Sequence, residues 1–294
     1  MQGEPAHVSI DVADVERIAA LGWRGLEEAQ VGGWLLRAAD GFTGRSNSAL
    51  VLGVAPQTDR GFLHDLARWY ADRGLPPMVQ IPLPGGEAID AMLADAGWQT
   101  FDLVRFLTGD VDEIQNSTAQ SLARASEGRP VSNLLAQGVL HSDGSGVVSR
   151  LDAEPDDAWL AAYHYRGAAL PGHAREVLLR AGENTELCFA SLRAPARDGA
   201  ADAVFAVARG AVTQGWLGVT AVTVADEHRR QRHGTRLMSE LAVWGAQRGA
   251  RAIYLQVAAD NGPALQLYAG LGFYHHQHHD YRYRVGSALE ERFD

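Results

Sequence analysis

The sequence predicts an α/β (α+β) protein made of two similar units in tandem. Strand-like and helix-like segments alternate between residues 203 and 285, and a second, related series of segments lies nearer the N-terminus. Hydrophobic residues make up 46% of the 294 positions, which is typical of a globular protein with a full core. The length suits one large domain or two modest ones, and the related segments favour two.

The clearest run of elements begins with two β-rich segments, residues 203–212 and 215–224, separated by a short Thr-Gln-Gly break. This spacing predicts an antiparallel pair of strands. After the basic stretch HRRQRHGTRL, residues 228–237, apolar side chains recur at helical spacing as far as Gly249, which predicts the helix end. The order is therefore strand, basic turn and helix.

The basic turn indicates a site for a local anion. The chain has 26 basic and 36 acidic residues, a formal net charge of −10, which disfavours general attraction to nucleic acid or to an anionic membrane. Where a turn meets a helix N-terminus, backbone N–H groups and the helix dipole favour an anion of phosphate size. Arginines add bidentate contacts to such an anion.

A second strand is predicted over residues 252–259, followed by the turn DNGP and a short helix. Pro263 suits the first position of that helix, and Gly272 suits its end. The segments YHHQHH and YRYRV then predict a closing pair of strands.

Residues 222–285 resemble the core of the GNAT superfamily of acyl-CoA N-acyltransferases. The family's phosphate loop, Arg/Gln-x-x-Gly-x-Gly/Ala after a strand, is matched by residues 229–234, RRQRHG. Its second signature, an asparagine followed by a helical tyrosine, is matched by Asn261 and by Tyr268 in LYAGLGF. A lone glycine loop would be weak evidence, but two signatures in order are specific. The resemblance implies a mixed, mainly antiparallel sheet flanked by helices in each unit.

The resemblance also implies acetyl-CoA as the cosubstrate. Backbone groups of Val222, Thr223 and Val224 would pair with the pantetheine arm like an added strand. Tyr268 would lie near the sulfur and protonate the departing thiolate; the alternative is an ordinary half-buried helix tyrosine. The other implied cofactor-binding residues are Asn261 and the loop that would hold the pyrophosphate, namely Arg229, Arg230, Gln231, Arg232, His233, Gly234 and Thr235.

Arg232 departs from the family pattern, which has its first glycine at this position. An arginine there cannot adopt positive φ without strain, and its backbone cannot approach phosphates as closely as that of a glycine. Either the loop is displaced, or the side chain itself contacts a phosphate.

An internal duplication extends the resemblance to the first half of the chain. The segment 65–81 aligns with 240–257, and 91–98 aligns with 266–273, at an offset of 175 residues with one residue inserted midway. The layout of two tandem units is similar to that of mycothiol synthase. The predicted parts are a degenerate GNAT-like domain (1–112), a polar linker with room for a short helix (113–144) and a catalytic GNAT N-acetyltransferase domain (145–294).

The two copies differ where the cofactor chemistry would occur. Leu93 aligns with Tyr268, and Asp59 aligns with Gly234, so that an acid stands where phosphate would lie. We therefore expect no cofactor site in the first unit. It either supports the second unit structurally or helps to form the acceptor pocket.

Several residues are candidates for the acceptor pocket. In the family the first helix of the catalytic unit and the loop after it line the acceptor, which makes His164, Tyr165 and Arg166 candidates. The turn GFTGRSNS, with Arg45 and Asn47, could also face the acceptor. Ordinary packing, and a tight hairpin turn for GFTGRSNS, are the alternatives.

Acyl transfer to an amine needs the amine neutral and hence a base, directly or through water. Residues 213–224 contain no acid, and Glu227 and His228 are the nearest titratable groups. We take Glu227 as the candidate base, with simple solvation of the loop as the alternative.

Two further features carry no predicted chemistry. The cluster HHQHHD, read as a strand, places His276 and His278 on one face and His275 and His279 on the other, with no complete set of metal ligands. The lone cysteine, Cys188, lies in an apolar run and reads as a small buried hydrophobe. We predict no metal.

Together these patterns predict a cytoplasmic, acetyl-CoA-dependent N-acetyltransferase acting on a primary amine. The acidic surface favours a cationic acceptor, either a small-molecule amine or a protein lysine, including lysines of basic DNA-associated proteins. The alternative is a non-catalytic acyl-CoA sensor or partner-binding module, motivated by Arg232 and the missing strand acid. Direct nucleic-acid binding and membrane association are not expected, because the basic residues form one short cluster and no apolar run spans a membrane.

Overall fold

The computed structural model describes residues 10–53, 60–125, 141–142, 146–194 and 202–286. The strands in this part of the chain form a single mixed sheet, in the spatial order β1-β2-β3-β4-β12-β5-β11-β10-β9-β8-β7-β6. The strands are β1 (Glu27–Val31), β2 (Trp34–Ala38), β3 (Ala49–Val51), β4 (Met78–Leu83), β5 (Gln99–Asp110), β6 (His141–Ser142), β7 (Val148–Asp152), β8 (Glu186–Ala194), β9 (Ala203–Thr213), β10 (Trp216–Val224), β11 (Ala252–Ala258) and β12 (Tyr274–Val285).

Helices cover the faces of this sheet, as expected for the fold class. Two short 3-10 turns, Arg45–Asn47 and Asp226–His228, lie in loops. The α-helices are α1 (Val12–Gly22), α2 (Arg60–Ala71), α3 (Glu87–Asp95), α4 (Val111–Ala125), α5 (Asp157–Ala162), α6 (Ala174–Leu179), α7 (His233–Ala246) and α8 (Gly262–Gly270).

The predicted elements around the basic turn are confirmed. Strands β9 and β10 pair antiparallel, and their connecting turn has positive φ at Gln214 and Gly215, as a two-residue hairpin turn requires. Helix α7 ends just before Gly249, which has φ +79°. Asn261 is the N-cap of α8, and Gly272, with φ +99°, ends the turn after it.

The two halves of the sheet exchange their last strands. β11 pairs with β5 from the first half, and β4 pairs with β12 from the second half, both antiparallel. β5 and β12 also pair with each other at the centre of the sheet. Each half is thus completed by a strand that the other half supplies, an arrangement that local sequence patterns do not predict.

The duplication is visible in the element boundaries. α3 and α8 have the same length and begin at Glu87 and Gly262, 175 positions apart. β5 and β12 begin at Gln99 and Tyr274, at the same offset. The aligned helix residues Leu93 and Tyr268 are both buried, which agrees with the duplication. The division into two domains stays a prediction.

The predicted linker contains more structure than a short helix. α4 is 15 residues long and packs on α7, where Gln115 donates to the Ala242 carbonyl oxygen at 3.5 Å. Its buried residue Ile114 belongs to the core formed by α7 and the second half of the sheet. Residues 126–140 and 143–144 of the linker lie outside the described residues.

Two other predictions concern buried side chains and membrane spans. Cys188 is buried in β8, and desolvation raises the pKa of its thiol above the ordinary value, which suits the predicted apolar role. Among the described residues, none of the helices combines the length and apolar composition that a membrane crossing needs.

Candidate active site

The site is organised by an opening between β10 and β11. These parallel strands pair only from Trp216 opposite Ala252 to Val219 opposite Leu255. Beyond Val219, a bulge with Ala221 at φ +55° turns β10 away while it keeps its pairing with β9. In the described structure, residues 220–224 therefore have no partner strand on the β11 side. Val222, Thr223 and Val224, the residues predicted to pair with pantetheine, lie along this open edge.

The predicted phosphate loop follows directly from the open edge. It leaves Val224, passes through the 3-10 turn and enters α7 at His233. Arg230 and Arg232 both adopt left-handed φ, +60° and +63°. A residue other than glycine in this left-handed conformation costs roughly 1–2 kcal/mol, so the loop holds backbone strain of the kind found at ligand sites.

Arg232 stands where the family's phosphate loop has its first glycine, and its backbone adopts the strained left-handed conformation there. It is the N-cap residue of α7 and makes no side-chain capping bond. Its guanidinium instead donates to the Ser121 carbonyl oxygen and hydroxyl of α4, at 2.9 and 2.7 Å. The backbone therefore takes the glycine-like conformation, and in this structure the side chain is anchored on α4.

The start of α7 presents backbone N–H groups that have no hydrogen-bond acceptor within the helix. The first N–H groups of any α-helix lack an intrahelical acceptor, and the helix dipole makes this end positive. Gly234 lies against α8, where an added Cβ would meet Leu267 Cδ2 at 3.1 Å, and Thr235 is buried behind it. These residues form a compact helix N-terminus of the kind that binds phosphate.

Side chains of the loop hold its shape. Arg229 forms an ion pair with Asp226 at 2.7 Å and donates to the Val224 carbonyl oxygen at 3.2 Å. Gln231 donates to the Glu227 carbonyl oxygen at 3.0 Å. The Glu227 side chain is exposed in this loop and does not line the cavity described below.

The second signature lies on α8. The Asn261 side chain accepts the Ala264 N–H at 3.2 Å and caps the helix. Tyr268 is 5% exposed and packs edge-on against Phe273. Burial raises the pKa of its phenol to about 12, so the hydroxyl stays protonated at neutral pH.

Asn261 offers a test that separates its structural role from cofactor binding. We expect Asn261→Ala to lower the free energy of unfolding by about 1 kcal/mol, because the α8 cap is lost, and Asn261→Ser to restore most of it. Chemical denaturation measures both. If acetyl-CoA affinity falls in Asn261→Ser as well, although that variant keeps the cap, then the amide contacts the cofactor in addition.

A cavity of about 230 Å³ lies at the base of the opening between β10 and β11. Both halves of the chain contribute to its wall, and the predicted pocket residues Tyr165 and Arg166 are among them, whereas His164 is not. Tyr268 does not line it either. The lining residues are Trp23, Thr43, Gly44, Arg45, Asp102, Val104, Tyr163, Tyr165, Arg166, Val219, Thr220, Ala221, Gln256, Ala258, Tyr281 and Tyr283.

The segment GFTGRSNS is a structured wall of this cavity and not a tight hairpin turn. Asn47 is buried, accepts the N–H groups of Ala39 and Gly41, and donates to the Thr43 carbonyl oxygen. The Gly44 N–H donates to the Tyr165 hydroxyl at 3.1 Å, which ties this wall to the second half. The segment is therefore not the tight hairpin turn of the alternative interpretation, and its role in facing the acceptor stays a prediction.

A buried polar network behind the cavity was not predicted. The Glu16 carboxylate lies 3.1 Å from His279 Nε2 and accepts from Gln80 at 3.3 Å. Gln80 in turn accepts from Arg37 at 2.8 Å. These groups come from α1, β2, β4 and β12, so that no local motif in the sequence brings them together.

The alternation predicted for the histidine cluster is wrong. The register of β12 shifts between His275 and Asp280, and Gln277 has φ +45°. As a result His276 and His279 are both buried, 1% and 0% exposed, while His275 pairs with Asp280 at 3.0 Å. The side chain of His278 and the aligned residue Asp59 of the first half lie outside the described residues. In the part of the chain that the structure covers, no three His, Cys, Asp or Glu side chains are grouped to hold a metal ion.

Comparison with known proteins agrees with this architecture. Residues 9–284 match the family model described as "Probable histone acetyltransferase Rv0428c C-terminal". The chain is 30% identical over 268 residues to the probable histone acetyltransferase Rv0428c of Mycobacterium tuberculosis, covering 89% of this chain and 71% of that protein. It is 26% identical over 272 residues to the uncharacterized N-acetyltransferase YobR of Bacillus subtilis, covering 92% and 98%.

Solved structures share the fold. A GCN5-related N-acetyltransferase from Kribbella flavida superposes with a TM-score of 0.60 at 17% identity, covering 95% of this chain and 97% of that one. A tandem GNAT protein from the clavulanic acid biosynthesis pathway superposes with a TM-score of 0.56 at 17% identity, covering 99% and 91%. The chain therefore belongs to the family of the Rv0428c C-terminal region and is an acyltransferase with the GNAT fold.

Proposed function

We propose that this protein transfers an acetyl group from acetyl-CoA to a primary amine at the opening between β10 and β11. One observation carries the proposal: the phosphate loop and the cavity lie at the two ends of the open edge of β10. The loop begins after Val224, and the cavity contacts Val219, Thr220 and Ala221. A cofactor laid along this edge, with its pyrophosphate at the loop, directs its thioester into the cavity.

The proposed chemistry uses Tyr268 and Glu227, which both lie outside the lining of the cavity. The neutral amine attacks the thioester carbonyl carbon, the new C–N bond forms, and the C–S bond breaks. The departing thiolate takes the phenolic proton of Tyr268, whose pKa of about 12 keeps that proton available. The amine gives up its proton to a base, for which Glu227, acting through water, remains our candidate.

The acceptor enters the cavity beside the first half of the chain. Trp23 and Arg45 from that half, and Tyr163 and Tyr165 from the other, face the same space. This supports a role of the first half in forming the acceptor pocket, with residues 145–294 as the catalytic unit. We place the enzyme in the cytoplasm. The name of the Mycobacterium tuberculosis relative suggests protein lysine as one acceptor class, and a small-molecule amine is the other.

Calorimetry with acetyl-CoA tests the cofactor site. We expect one equivalent to bind the wild type, and Arg229→Ala to weaken binding severalfold or more, because the guanidinium beside the loop is lost. Arg251→Ala is the control, because Arg251 is exposed just before β11, at the end remote from the opening. This variant should bind acetyl-CoA like the wild type. If Arg229→Ala binds acetyl-CoA as tightly as the wild type, the pyrophosphate does not bind at this loop. Tight binding without turnover on any amine would favour the non-catalytic sensor.

A further inference from the structure

The cavity between the two halves has several aromatic rings in its wall and carries few charges. Five of its lining residues are tryptophan or tyrosine, contributed by the residue after α1, the segment after α5 and β12. Its volume of about 230 Å³ lies below the roughly 300–1,000 Å³ of most small-molecule sites. The space therefore suits a small acceptor with an apolar or aromatic part.

Arg45 is the charge in this cavity that no carboxylate neutralises. Among the described residues it forms no ion pair, and its buried Nε has no hydrogen-bond acceptor. Its guanidinium carbon lies 5.5 Å from the centre of the Trp23 ring. Burial lowers the pKa of Arg45, but Tyr281, Tyr283, Tyr254 and the more distant Glu16 together raise it by more, so the side chain stays charged.

The nearby carboxylates are already engaged. Asp102 lines the cavity but is paired with Arg166 at 2.6 Å. Glu16, which lies behind the wall, contacts His279 and Gln80 and is 1% exposed. The described lining residues therefore leave one positive charge in excess.

Gln256 is a second cavity residue with buried polar atoms that lack a hydrogen-bond partner. It lies on β11 opposite the bulge of β10, and it lines the cavity. Both its amide oxygen and its amide nitrogen are buried and have no hydrogen-bond partner among the described residues. Buried polar atoms are rarely left without a partner, so a pair of such groups in one cavity indicates a ligand that bonds to them.

We propose that the acceptor is a small amine that also carries a carboxylate, as a free amino acid does, and that Arg45 binds this carboxylate while Gln256 bonds to its polar groups. A monoanion matches the single excess charge, and a guanidinium binds a carboxylate through two parallel hydrogen bonds. The inference rests on the proposed acetyl transfer and names its acceptor class. The product is the N-acetylated amino acid and CoA.

Matched pairs of acceptors test this inference. We would measure kcat/KM for L-phenylalanine, L-leucine and L-lysine and for the carboxamide of each, with spermidine and a lysine-containing peptide as cationic acceptors. The wild type should prefer at least one amino acid over its carboxamide, and Arg45→Gln should reduce that ratio by about 30-fold or more. Comparing the ratio between enzymes cancels the different intrinsic reactivities of the two amines.

Further variants keep the test decisive. Arg251→Gln, remote from the cavity, should retain the wild-type ratio. If Arg45→Gln fails to fold, Gln256→Glu replaces it: the added carboxylate should repel the amino acid and shift the preference toward its carboxamide. Efficient acetylation of spermidine or the peptide, with no amino acid preferred over its carboxamide, overturns the inference but leaves acetyl transfer intact. No binding of acetyl-CoA and no turnover of any amine removes the proposed function and the inference together.

Discussion

Tyr268→Phe should lower kcat about 100-fold or more while it leaves the Kd for acetyl-CoA within about twofold of the wild type. The substitution removes one hydroxyl and keeps the ring that packs against Phe273. No hydrogen bond to this hydroxyl is found within the described structure, so its loss should not weaken the fold. Steady-state kinetics with a saturating amine, together with calorimetry, measures the two quantities separately.

The control is another buried tyrosine. Tyr70 is 0% exposed in α2 of the first half, and its hydroxyl also has no hydrogen-bond partner in the described structure. Tyr70→Phe should therefore leave kcat unchanged. If Tyr268→Phe also retains full kcat, the tyrosine only packs, and the thiolate takes its proton from elsewhere.

The raised pKa of Tyr268 also predicts how kcat depends on pH. Because burial raises this pKa to about 12, the phenol holds its proton throughout the range from pH 6 to 10. A proton donor of this kind causes no loss of kcat on the alkaline side of that range. A decline of kcat with an apparent pKa well below 12 would indicate a different acid.

The cofactor end of the site could be predicted because its signals are local. A strand, a basic turn and a helix follow one another within residues 216–246, and hydrophobic periodicity and the positions of glycines place each of them. The strain at Arg232 was also predictable, since a non-glycine residue at that position has a defined cost. What the sequence left open there was the side chain, which is anchored on α4 through Ser121.

The acceptor end could not be predicted, because its parts are distant in the chain. Arg45 and Gln256 line one cavity although they belong to different halves of the chain, which β5 and β12 join into one sheet. An alternating pattern shows which face of a strand is buried but not which strand lies beside it. The histidine cluster adds a second reason: the bulge in β12 reverses the faces that simple alternation assigns.

The exchange of strands has a consequence for stability that Phe106→Ala should reveal. Phe106 belongs to β5 of the first half, yet its ring stacks on Tyr254 of β11 at 5.3 Å and on His279 of β12 at 4.7 Å. It is 0% exposed. We expect its replacement by alanine to lower the free energy of unfolding by about 3–5 kcal/mol, because buried apolar area is lost and a cavity remains.

The loss should also affect both halves at once. β5 and β12 join the two halves edge to edge, so a defect between them weakens the pairing on which each half depends. Thermal unfolding followed by near-UV and far-UV circular dichroism should give one coincident transition in the wild type and in the variant. Phe101→Ala is the matched control, because Phe101 lies on the same strand but is 50% exposed, and its change should stay within about 1 kcal/mol. Two separate transitions in Phe106→Ala, one of them at the wild-type temperature, would show that one half folds without the strand that the other supplies.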